Sequence, residues 1–238
     1  MRAIHFCIDM QKNYPAERPH YSPWWGSVKR NITRLDHLLR ERGIDTVYVA
    51  YGSSGHIEPF KQGVGMVKDM PLRSREVLDR HPDMMVDFDL PPTALLAFKN
   101  DFSLCHEPAI SDYVRCNEIS TIILSGIFEA SEILHDQRKG IPEPHAYYGY
   151  YGHCLSQTAW DFRLAGHEVV IAAEATQRGV EDSTYFSPLA KRRATHGTIG
   201  IKVNPVDEIM DSFDVVTRLH GRKASHATSE SRFSTDLR

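Results

Sequence analysis

Apolar residues along this chain fall into two alternating patterns. Short unbroken apolar runs, "AIHFCID", "DTVYVAYG", "STIILSG" and "HEVVIAAEAT", predict buried parallel strands. Between them, Val28, Ile32, Leu35 and Leu39 recur at helical spacing within "SVKRNITRLDHLLRERG", with Ser27 placed to cap the start and Gly43 to stop the end. Leu155, Ala159 and Phe162 repeat that spacing, and Gly166 is the stop. A helix is expected around "SREVLDRH", and weaker helical spacing marks "AISDYVRCNEI". "TALLAFKND" opens as a short strand, "DSTYFSPLAKRRATHG" reads as a broken helix, and "IGIKVNPVDEIMDSF" as a last strand followed by a helix. "MQKNYPAERPHYSPWWG" reads as a loop rich in Pro and aromatics, and residues 131–151 as a second, longer one. The opening strand, helix and strand predict a right-handed βαβ unit. The alternation as a whole predicts an α/β protein with a mainly parallel sheet.

At 238 residues and 41% hydrophobic, the chain can bury a full core, and one domain over residues 1–220 is the expectation. "GRKASHATSESRFSTDLR", residues 221–238, is polar with almost no apolar spacing and reads as a flexible tail. A formal net charge of -3 gives no general attraction to nucleic acid or to an anionic membrane. No apolar run reaches the ~18 residues of a spanning helix, and "MRAIHFCIDMQ" reads as a first strand rather than a signal peptide. Cys7, Cys105, Cys116 and Cys154 form no CxxC pair and no regular framework, so a reducing cytoplasm is the expected compartment. The 13 His residues are scattered and make no metal signature.

Chemistry narrows the candidates further. In open α/β sheets, active residues gather beyond the carboxyl ends of the strands. Asp9 closes the first strand, Lys99 follows the apolar "ALLAF", and Cys154 opens a helix. The positive end of a helix and a nearby ammonium both favour a thiolate, and a carboxylate can take the thiol proton and return it to a leaving group. Each residue also has an ordinary reading. An Asp at a strand end is commonly a turn residue, a Lys is commonly solvated, and a Cys is commonly buried and inert, as Cys7 is expected to be. His153 is adjacent to Cys154 on a helix, where neighbours do not face one another, and is set aside as its base.

Four segments then carry a resemblance: "IDMQ" at 8–11, "KNDFS" at 99–103, "TIILSGI" at 121–127 and "CLSQTAWDFRLAGHEVVIAAEAT" at 154–176. Together they resemble the isochorismatase-like cysteine hydrolase superfamily, which includes nicotinamidases, N-carbamoylsarcosine amidase and isochorismatases. The resemblance implies a three-layer fold with a central parallel six-stranded sheet and helices on both faces, in dimers or tetramers. It places Asp9, Lys99 and Cys154 on the family's catalytic triad. It also implies attack of the Cys on a small amide to give a thioester, with no cofactor. The backbone N–H groups of Cys154 and Phe128 would then form the oxyanion hole, beside a cis peptide at Ile127–Phe128. Two alternatives stay open: vinyl ether cleavage with Asp9 as acid and the Cys dispensable, and a binding or scaffold protein of the same fold.

The chain departs from the family pattern in two places. Cys154 stands 28 residues after Gly126, a far wider gap than the family has, so "SEILHDQRKGIPEPHAYYGYYG" is an insert at the mouth of the site. It reads equally as a lid or as an oligomer contact. Nicotinamidases pair an Asp and a His after the second strand, whereas His56 here lacks that Asp, and His135, His145 and His153 fit no familiar zinc spacing. No metal is therefore expected, and nicotinamidase activity is disfavoured. The remaining substrate-binding candidates are Gln11, Trp24, Phe128 and Tyr151, with core or subunit packing the favoured reading for Trp24 and Trp25.

Overall fold

The computed structural model describes residues 2–17, 22–51, 64–70, 72–101, 103–129, 154–178 and 189–214. Its strands are β1 (Arg2–Ile8), β2 (Thr46–Tyr51), β3 (Gly65–Met66), β4 (Leu95–Lys99), β5 (Ile119–Glu129), β6 (Glu168–Arg178) and β7 (Lys202–Asn204). Its helices are α1 (Asn13–Glu17), α2 (Ser22–Arg40), α3 (Leu72–Arg80), α4 (Pro108–Cys116), α5 (Cys154–Leu164) and α6 (Leu189–Gly197), with α7 over residues 206–214. The strand order is β3-β4-β2-β1-β5-β6-β7. All neighbours pair in parallel except β3, which adds two antiparallel residues at the edge of β4. The six parallel strands are those the resemblance implies. The seventh, Gly65–Met66, is too short to carry any periodicity.

Alternation along the strands divides the core in two. On one face Cys7, Tyr48, Leu96, Ile123 and Val170 meet Val28, Ile32, Leu35 and Leu39 of α2 and Val206, Ile209 and Met210 of α7. On the other face Ile4, Phe6, Val49, Leu124 and Ile171 meet Ile110 and Val114 of α4 and Leu155, Ala159 and Phe162 of α5. All but the edge strands are thus covered on both sides, which is why they read as nearly continuous apolar runs.

Two expectations about the first loop need correction. Asn13–Glu17 is helical, and α2 begins at Ser22 rather than at Ser27. Pro23 sits in the first turn of α2, where a missing N–H costs nothing. Trp24 and Trp25 then extend the apolar stripe of Val28 and Ile32 by one turn, and both are buried in the core cluster. Trp25 Nε1 donates to Asp87 Oδ2 at 2.7 Å. The insert at 131–151, the tail at 221–238, His56 and Tyr151 lie outside the described residues.

Candidate active site

β1 ends at Ile8, and Asp9 turns away from it in the left-handed region at φ 56. Asp is among the few side chains that adopt this conformation readily. The turn is pinned by Asp9 N–H donating to Val49 O at 3.0 Å and Gln11 N–H donating to Asp9 O at 2.9 Å. It projects the carboxylate beyond the carboxyl end of the sheet, where it is wholly buried. Across β2, Lys99 is the last residue of β4 and is also wholly buried. Its Nζ lies 3.0 Å from Asp9 Oδ2 and donates to Asp101 O at 3.2 Å. Beyond Lys99 and the thiol of Cys154, no donor among the described residues reaches either Asp9 oxygen.

Cys154 is the first residue of α5 and is 4% exposed. Its thiol interacts with both the Lys99 ammonium and the Asp9 carboxylate. Burial, reinforced by the Asp9 charge, pushes the thiol up to about 12 against the pull of Lys99. The thiolate expected from the helix end and the ammonium is therefore not the resting form, because a desolvated anion beside a carboxylate is worse placed than a neutral thiol. Burial alone would drive Lys99 down, but Asp9 and Cys154 more than offset it and hold the ammonium above its ordinary value. The Lys99–Asp9 ion pair thus stands against a thiol whose neutral form burial favours.

The segment after β4 locks onto α5. Leu104 N–H donates to Thr158 Oγ1 at 3.1 Å. His106 lies between Asp101, at 2.9 Å, and Asp161, at 3.3 Å. Glu107 accepts from the N–H groups of Asn100 and Asp101, which fixes the turn whose carbonyl meets Lys99. Gly126, at φ +111, faces β1 so closely that a Cβ there would lie 2.1 Å from Ile8 O, one residue before Asp9. The β5–β6 ladder shifts register at this glycine, and Phe128 lies in the irregular stretch that follows. Every peptide bond among the described residues is trans, Ile127–Phe128 included. The expected cis bond is therefore absent, and β5 continues as strand to Glu129.

The other candidates fall elsewhere. Gln11 is buried, and its amide is engaged with backbone: Nε2 donates to Tyr51 O at 3.1 Å and Met84 O at 2.6 Å, while Oε1 accepts from Tyr51 N–H at 2.9 Å. It links the turn after β1 to the end of β2, a different use from holding substrate. Trp24 packs into the core against Trp25, with ring centroids 5.7 Å apart. The side chain of Phe128 lies outside the described residues. One neighbour of the site was not anticipated: Lys99 Nζ lies over the ring of Tyr51, 4.9 Å from its centroid. Tyr51 is the last residue of β2, so the strand-end rule that singled out Asp9 and Lys99 also applies to it.

The fold is that of isochorismatase-like hydrolases. N-carbamoylsarcosine amidase from Thermoplasma acidophilum superposes over 87% of this chain and 98% of its own, with a TM-score of 0.55 at 14% identity. A cysteine hydrolase from Pseudomonas syringae pv. phaseolicola covers 90% of this chain and 93% of its own, with a TM-score of 0.56 at 18% identity. An isochorismatase family protein from Desulfovibrio vulgaris covers 89% and 98%, with a TM-score of 0.55 at 17% identity. No protein-family model and no curated protein matches the sequence, so the likeness is one of fold.

Proposed function

We propose that the protein is a cysteine-dependent hydrolase of a small-molecule amide, working through Asp9, Lys99 and Cys154. The observation that carries this reading is the fully buried Lys99–Asp9 ion pair, 3.0 Å long, set against the thiol that opens α5. A buried charged pair of this kind contributes little net stability, whereas perturbed, mutually coupled groups at strand ends are what covalent catalysis needs. Among the solved structures of this fold are an amidase and a cysteine hydrolase, which agrees with the chemistry.

In this reading Asp9 takes the thiol proton as Cys154 Sγ bonds to the amide carbonyl carbon. Lys99 offsets the negative charge that builds between sulfur and carboxylate. Backbone N–H groups at the start of α5, Cys154 among them, and at Phe128 receive the oxyanion. Asp9 then protonates the leaving nitrogen as the C–N bond breaks, leaving a thioester. Water attacks the thioester, its proton passing by way of Asp9 back to the sulfur, and the acid is released.

A panel of small amides and N-carbamoyl compounds, assayed for release of ammonia or amine, tests the reading. At least one should be turned over by the native protein, and Cys154→Ala should lower that rate by 10³-fold or more, on the order of what loss of a nucleophile costs. Turnover that survives Cys154→Ala, or release of pyruvate from a vinyl ether with the Cys dispensable, would contradict it.

A further inference from the structure

We propose that Tyr51 is a positioning residue of this site, whose aromatic ring holds the Lys99 ammonium against Asp9 and Cys154. The inference rests on the triad reading above and extends it to a residue outside the triad. Three independent features converge on it. First, Tyr51 and Lys99 are register partners in the β2–β4 ladder, so their side chains leave the sheet on the same face at neighbouring positions. Second, Lys99 Nζ lies 4.9 Å from the ring centroid, within the roughly 6 Å at which a cation feels a ring quadrupole. Third, the ammonium is wholly desolvated, the condition in which such a contact is strongest.

The ring is itself held in place. Gln11 Oε1 accepts from the N–H of Tyr51, and Gln11 Nε2 donates to its carbonyl. Gln11 stands two residues after Asp9, so one amide fixes the backbone of Tyr51 relative to the turn that carries Asp9. Among the groups facing Lys99 are Asp9 after β1, Tyr51 from β2, the Asp101 carbonyl from the following turn and Cys154 from α5. The ring attracts the cation without competing for its proton. Tyr51 therefore keeps Lys99 cationic and in line while protons move between Asp9 and Cys154.

Replacing Tyr51 by phenylalanine and then by phenylalanines of increasing ring fluorination preserves shape while draining the ring quadrupole. Tyr51→Leu removes the ring. The readout is the rate of Cys154 carboxamidomethylation by iodoacetamide as a function of pH, which needs no substrate. Tyr51→Phe should retain the native rate, and the fluorinated series should slow step by step. Tyr51→Leu should be slower by roughly tenfold, with the profile moved about one unit to higher pH. A flat fluorine series, or Tyr51→Phe as slow as Tyr51→Leu, would overturn the inference while leaving the triad standing. If Cys154 reactivity in the otherwise native protein does not depend on Lys99, as Lys99→Met would reveal, both the triad and the role of Tyr51 fall.

Discussion

Two buried titratable groups keep opposite company. Cys154 has a carboxylate and an ammonium within reach, so its proton can move. His5, four residues before Asp9, has only hydroxyls at its ring nitrogens: Thr46 Oγ1 at 3.0 Å and Ser125 Oγ at 2.7 Å. Burial lowers His5 from 6.5 to about 4, against the opposing charge of Asp36. The unfolded chain therefore takes up a proton near pH 6.5 while the folded protein refuses it until about pH 4. Stability present above pH 6.5 should fall as the pH drops through that window, by about 3 kcal/mol in all. Urea unfolding at pH 7 and pH 4.5 should show this loss, and His5→Asn should remove most of the difference between the two. Parallel losses in both proteins would show that His5 does not carry the acid sensitivity.

At the scale of elements, the join between α5 and the segment after β4 is what brings a helix-borne thiol to a strand-borne ammonium. Thr158 and Leu104 are both fully buried, and the single bond from Leu104 N–H to Thr158 Oγ1 is the inner part of that join. Thr158→Val keeps the volume and leaves the N–H without its acceptor, at a cost of about 1–3 kcal/mol. Calorimetry should find the melting temperature lowered by several degrees, and hydrogen exchange at Leu104 should accelerate. An unchanged melting temperature would mean that the join is held elsewhere. The strands and helices were largely legible, because Val28, Ile32, Leu35 and Leu39, or "STIILSG", repeat at one period over several turns or pleats. The start of α2 was not, since "YSPWWG" carries turn residues and aromatics whose burial in the core and contact with Asp87 appear only in the folded chain. Gly65–Met66 was invisible because a two-residue strand is defined by its partner Leu95–Leu96 alone.

On the scale of the whole molecule, the sheet order places β1 and β4 on either side of β2, and it does so only once all three strands are assembled. Asp9, Lys99 and Cys154 lie far apart in the chain, and their meeting was legible only because each stands at a strand or helix end. What the sequence could not reveal is which of them holds the proton. That depends on how completely the site is desolvated and on both Asp9 and Lys99 interacting with the thiol. Tyr51 escaped notice for a related reason: an aromatic at a strand end gains a role only when a cation is buried beside it. The Asp9 charge favours the resting thiol, yet Asp9 is also the group that takes its proton, and Lys99 offsets the charge left on sulfur. Removing either partner should therefore slow Cys154. The measurement to make is the rate of Cys154 alkylation by iodoacetamide across pH 5 to 9, read by peptide mass spectrometry in the native protein, Asp9→Asn and Lys99→Met. The account expects Asp9→Asn and Lys99→Met each to react more slowly than native across the range. A rate at Cys154 that neither substitution changes, or one that Asp9→Asn raises, would contradict it.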